Sequence, residues 1–189
     1  MNKQKFWLTA SLTLLVAAQA ALAHVTLENP KATAGEGYKA VLRVGHACTA
    51  GGMTTALSVL IPEGVSNPKP MPKAGWAVVV KKIKLAEPLV VYGRTITEVV
   101  QEVTWTAASK EAAISDDQYD EFIVRGTLPA KAGVLWWKTV QTCDNGKSEW
   151  TEVPAQGTSI KGLKGPAAPL EVLPRTEAVA TPAAAMPHH

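Results

Sequence analysis

Histidine and cysteine are scarce in this chain. Four histidines and two cysteines occur among 189 residues, so any metal site has to be assembled from few side chains. Several chemistries have no support at all. There is no Gly-rich phosphate loop, no Gly-x-Ser-x-Gly elbow and no His-Glu-x-x-His zinc motif, which leaves nucleotide and hydrolase roles without a basis. A formal charge of +3 supplies no basic field of the kind nucleic-acid binding needs. Beyond residue 18 no stretch approaches the ~20 apolar residues that span a bilayer, and hardly any segment carries a helical period.

The amino-terminal stretch has a pattern of its own. Lys3 and Lys5 precede an apolar run through Leu8, Leu12, Leu14, Leu15 and Val16, and small residues follow, ending in Ala21-Leu22-Ala23. That is how a secretory signal peptide reads. Cleavage after Ala23 makes His24 the first residue of a mature chain of 166 residues, taken from 189. A chain of that length suits one domain plus a tail. The two signal lysines leave with the peptide, and the charge falls from +3 to +1. A free α-amino group and the Nδ1 of the same histidine can close a chelate ring on one metal ion. Imidazole with an amine nitrogen suits Cu(II), near the top of the divalent affinity order.

Cys48 and Cys143 sit in a chain expected to leave the reducing cytoplasm, so a single disulfide is the expected state, with a thiolate metal pair as the alternative. Closing a loop that long contributes roughly 4 kcal/mol on the chain-entropy model, as an upper figure. Short runs of alternating or β-branched residues, each bounded by Gly, Pro, Asn or Asp, predict strands. They fall near Val25–Asn29, Tyr38–Val44, Thr54–Ile61, Trp76–Lys84, Arg94–Thr106, Asp120–Thr127, Val134–Cys143 and Glu149–Val153. Ala107–Ala113 is the one place for a helical turn. Eight strands with turns between them predict an all-β antiparallel sandwich. Asp144-Asn145-Gly146 is a hairpin signal that places Cys143 and Trp150 on neighbouring strands. Pro68 to Pro72 predicts an extended crossing between strands. From residue 166 to 189 the composition turns to alanine, proline and threonine without period, which predicts a flexible tail after a domain of residues 24–165.

Of the remaining histidines, His46 stands two residues before Cys48 at the start of a glycine-containing loop. It is a candidate second ligand or an ordinary loop histidine. A Cys48–Cys143 bridge would tether it near the hairpin that leads to Trp150. His188 and His189, after Met186, are a weak copper-catching tail or a solvated end. Six tryptophans against three tyrosines and two phenylalanines is an unusual bias. Trp76, Trp105, Trp136 and Trp137 are expected in the core or at its rim. A cation over an indole face is a functional use for one tryptophan.

One ordered set of short motifs runs His24-Val25-Thr26-Leu27, Ala34-Gly35, Tyr38, Gly45-His46-Ala47-Cys48, Met53-Thr54-Thr55, Ile61 to Val65, Pro72 and Gly75-Trp76, Asp120-Glu121-Phe122, Leu128-Pro129, Val140 to Cys143, Asn145-Gly146 and Trp150. Taken in this order, the set resembles the YcnI-like family of secreted copper-binding domains. The resemblance implies an immunoglobulin-like or cupredoxin-like sandwich whose amino-terminal histidine binds Cu(II) through amine and imidazole. It also implies a tryptophan close to the metal, which by motif position is Trp150, and a carboxylate ligand near the loop at residues 45–48. That loop holds no acidic residue here, so either His46 takes the carboxylate's place, or Glu28, Glu149 or Glu152 supplies it.

The expected function is therefore a periplasmic or secreted Cu(II)-binding protein, a metallochaperone or acquisition factor rather than an enzyme. The metal-site candidates are His24, His46 and Trp150, the cofactor is copper, and the partners are the copper ion and a copper-delivery protein, with no nucleic acid and no membrane span. Two alternatives stand beside it. One is a copper-dependent oxidative enzyme in which His24 and His46 form a brace, and the other is a metal-free, protein-binding sandwich.

Overall fold

The computed structural model describes residues 24–91 and 93–176. The expected signal peptide and the Met186, His188 and His189 end lie outside the described residues. Thirteen strands follow in chain order: β1 (Thr26–Leu27), β2 (Lys31–Thr33), β3 (Gly37–Val44), β4 (Met53–Leu60), β5 (Ser66–Pro70), β6 (Trp76–Val91), β7 (Arg94–Ala107), β8 (Ile114–Ser115), β9 (Asp120–Thr127), β10 (Gly133–Trp137), β11 (Thr139–Cys143), β12 (Gly146–Trp150) and β13 (Ala168–Leu173). A single 3-10 turn, Lys110–Ala112, falls inside the segment where a helical turn was expected. The protein is an all-β sandwich, as the strand pattern predicts.

Its core follows from side-chain alternation. In β3, Tyr38, Ala40, Leu42 and Val44 point to one face and are buried. Partner strand β9 sets Val124 opposite Ala40 and Phe122 opposite Leu42. With β1 and β5 at the edges, these form one sheet in the order β1-β3-β9-β5. The second sheet runs β12-β11-β4-β7-β6, with β8 paired to β4. There Leu57 faces Trp105 and Val59 faces Val103, all fully buried. Trp105, Phe122 and Trp76 meet edge-to-face at 5.5 and 5.1 Å, a preferred aromatic geometry, and the Trp105 Nε1–H donates to the Met71 carbonyl. Trp137 is also buried, as expected, while Trp136 is half-buried.

Two expectations are corrected. The run Val134–Cys143 is not one strand. It changes sheets at Lys138, so that β10 pairs with β13 and β11 pairs with β4 and β12. The Lys138 carbonyl accepts from Leu60 N–H, and Trp137 and Thr139 on either side are both buried. The tail does not begin at residue 166. Ala168–Leu173 forms β13, the middle strand of a third sheet, β10-β13-β2, antiparallel to β10 and parallel to β2. Ala168, Leu170 and Val172 alternate into the core, and that short apolar face, together with pairing to β10 over Ala168–Val172 and to β2 over Glu171–Leu173, overcomes the ordering cost that composition alone suggested.

β6 is longer than expected. It continues past Lys84 to Val91 and pairs with β7 through a register shift between Lys84 and Leu89. β4 accompanies β7 only over Glu102–Thr106. The outer part of the β6–β7 hairpin is therefore a two-stranded arm. Pro88 lies within that shift, where its missing N–H takes nothing from the ladder.

Candidate metal centre

Cys48 and Cys143 are joined in a disulfide. The bridge fastens the loop after β3 to the end of β11, and the Cys48 N–H donates to Cys143 Sγ at 2.9 Å. On its far side the same loop is held by Asp116, whose carboxylate accepts from Ala47 N–H and Gly51 N–H at 3.0 Å each. These two backbone donors, Gly51 first, with the nearby His46, hold the Asp116 carboxyl below its ordinary range. Asn145-Gly146 turns β11 into β12 as expected, with Thr139 opposite Trp150.

Gln141, in the middle of β11, is 1% exposed. Its Nε2 donates to the His46 carbonyl at 2.7 Å and to Thr54 Oγ1 at 2.8 Å. Its Oε1 accepts from Trp150 Nε1 at 3.3 Å. The Trp150 ring in turn meets the His24 ring edge-to-face, centroids 5.2 Å apart and planes at 86°. A chain of contacts thus runs from the disulfide-bound loop through Gln141 and Trp150 to His24. His24 Nε2 is buried and has no hydrogen-bond partner.

The segment expected to be tail closes the other side. Glu152 N–H donates to the Gly165 carbonyl and Ala167 N–H to the Glu152 carbonyl, which lays residues 165–167 along the strand that follows Trp150. Gly165 is required there, because a Cβ would stand 2.3 Å from the Glu149 carbonyl oxygen and 4.0 Å from Trp150 Cε3. Pro166, Ala167, Ala168 and Ile160 then line a recess of about 250 Å³ with His24 and Pro30.

His24 and Trp150 are therefore brought together. His46 joins them through its backbone carbonyl. Its Nδ1 faces the Ala47 carbonyl, and since a carbonyl only accepts, Nδ1 donates the hydrogen of that contact. Two of the three candidate carboxylates are otherwise engaged, Glu149 pairing with Lys147 and Glu152 accepting from Lys164 N–H, while Glu28 lies near Tyr38, whose hydroxyl burial and then the Glu28 charge push up to about 12. Among the described residues no three of His, Cys, Asp and Glu gather as a metal cluster. Gln141, Asp116 and Gly165 were missed in the sequence. Only the position of Gln141, two residues before a cysteine, hinted at proximity.

A disulfide-tied, all-β sandwich with this strand order is an immunoglobulin-like domain. A crystal structure of an uncharacterized protein from Nocardia farcinica, described as revealing an immunoglobulin-like fold, is similar at 24% identity, covering 79% of this chain and 98% of that one, with a TM-score of 0.60. The family model described as a domain of unknown function, DUF1775, matches residues 24–172, and the chain belongs to that family. Comparison with curated proteins gives no match. The matched span begins at His24 and includes β13. Among the described residues no helix is long and apolar enough to cross a membrane.

Proposed function

We propose that this domain is an extracytoplasmic Cu(II)-binding protein, a metallochaperone or copper acquisition factor, that takes its cargo at the processed amino terminus. The observation that carries the reading is the His24 ring packed on Trp150 with its Nε2 buried and unpartnered. In the uncleaved chain the His24 nitrogen is an amide and a poor ligand. Cleavage after Ala23 turns it into an amine, which together with Nδ1 supplies two ligands from one residue. A proton on Nε2 leaves Nδ1 as the donor nitrogen, the tautomer such a chelate needs.

The donor set fits a cargo that is passed on. Two nitrogens from one residue, without a closed cage of side chains, leave coordination positions that a receiving protein can occupy, whereas structural sites surround their ion. The indole supplies an apolar wall with a negative π face, suited to a cation held beside it. His46, whose backbone carbonyl belongs to the same chain of contacts, is the candidate for a further ligand. The disulfide is compatible with an oxidising compartment, and the resemblance to YcnI-like domains supports copper over other divalent ions.

The test is a Cu(II) titration of protein verified by mass to begin at His24, followed by electron paramagnetic resonance and tryptophan fluorescence, with a Met-initiated version as control. One-to-one binding with nitrogen couplings and fluorescence quenching, lost in the control, is the expected result. Equal binding by both forms would remove the site from His24.

A further inference from the structure

We infer that Gln141 is the positioning residue of the His24 site. It fixes the orientation of the Trp150 indole and through it the seat of the imidazole. The argument rests on which atoms of the amide are already committed. The His46 carbonyl can only accept, so the Gln141 group 2.7 Å from it is the NH2. The second hydrogen of that NH2 goes to Thr54 Oγ1. With both donors spent, Oε1 has one direction left, and it receives the Trp150 Nε1–H. A buried amide satisfied on all these sides cannot rotate without leaving donors or acceptors unpaired, which costs more than the bonds themselves contribute.

The anchorage of Gln141 is independent of the metal. Its partner carbonyl belongs to His46, in the loop fastened by Cys48, and its own strand ends at Cys143. The two segments that orient the indole are therefore tied to each other covalently. Trp150 is only half-buried on a strand with β11 on one side and no strand beyond it in its sheet. Packing leaves its ring angle less constrained than that of Trp105, and the Nε1 hydrogen bond supplies the missing constraint. Residues that orient ligands from behind commonly change metal affinity by ~10–100-fold when replaced. That the seated imidazole is a copper ligand rests on the proposed function, but the seating itself does not.

Three proteins test this: wild type, Gln141→Met, which keeps length and removes every polar contact, and Thr54→Val, which removes one partner of Gln141 and leaves its Trp150 bond in place. In the metal-free state the Trp150 indole N–H resonance and the His24 ring-proton shifts are expected to move in Gln141→Met and to stay in Thr54→Val. Cu(II) affinity is expected to fall about tenfold in the first only. A folded Gln141→Met with both sets of resonances unchanged overturns the inference. Should that variant fail to fold, exchange of the wild-type Trp150 indole N–H with solvent decides. Protection is expected, and exchange at the rate of a free indole overturns it. Wild type that moves these resonances on substitution but ignores Cu(II) sinks the copper reading and leaves the positioning role standing.

Discussion

The two ends of the molecule are built from the same kind of strand and behave oppositely. At the His24 end, β11 has a neighbour on each side, a disulfide at its terminus and a buried glutamine whose polar atoms are all engaged. In the β6–β7 arm, two strands pair only with each other, and Ile83 and Val90 are 38% and 73% exposed. The arm has β-propensity and ladder bonds in full, yet it buries little. Propensity makes a strand, but neighbours on its faces make it rigid and specific. A site that must hold one ring at one angle belongs at the first end. The lysines of the arm, Lys82 and Lys84, and its proline answer a different need, because they discourage edge-to-edge association of an otherwise apolar ribbon.

The contrast is broken most directly by severing the tied end. Replacing Cys48 and Cys143 together by alanine is expected to lower unfolding stability by roughly 2–5 kcal/mol. Replacing Val90 by threonine is expected to stay within about 0.5 kcal/mol, as exposed substitutions usually do. Denaturant unfolding of both variants checks the pair. Comparable losses would mean that the arm is packed against something and that the two regions do not differ as described.

A second test sharpens the comparison within the tied end. Gly165→Ala puts a methyl group 2.3 Å from the Glu149 carbonyl oxygen, a backbone atom that has no rotamer to escape into. The expected cost is about 1–3 kcal/mol, with a change in Trp150 fluorescence because the strand carrying it is pushed aside. An unchanged melting temperature and spectrum would show that the segment at residues 160–167 does not press on the site.

Much of this comparison was legible in the sequence. β9 matches the expected Asp120–Thr127 residue for residue, and β3, β4 and β7 match within one residue at each end, because alternating apolar residues between turn formers have few other solutions. The disulfide followed from compartment and cysteine count, and the meeting of its end with Trp150 followed from Asn145-Gly146. What was hidden shares one cause. β13 is four-sixths apolar but begins in an alanine and proline stretch, and its face is set by a parallel partner more than 130 residues earlier, β2, itself only three residues long. The break at Lys138 is a change of sheet, which a period of two cannot register. Gln141 looks like a polar residue in a half-exposed strand until the His46 carbonyl and Trp150 are placed beside it. Each of these depends on a contact distant in sequence.

The smallest expected effect is electrostatic and local to the loop that carries His46. Asp116 is only partly buried, yet the N–H groups of Gly51 and Ala47, and after them His46, hold its carboxyl below the ordinary range. A carboxylate depressed in the fold contributes stability above its unfolded value, near 3.9, and that contribution is withdrawn as pH falls through the lower folded value. At neutral pH the loop is therefore fastened by Asp116 as well as by the disulfide and the Gln141 bond to the His46 carbonyl, and in acid by the latter two. Asp116→Asn, which keeps one acceptor oxygen of two, is expected to speed amide exchange at Ala47 or Gly51 at pH 7, with the variant and wild type converging below about pH 4. Equal exchange rates at pH 7 would assign the fastening of this loop to Cys48 and Gln141 without Asp116. A difference that persisted in acid would assign it to the shape of Asp116 and not to its charge.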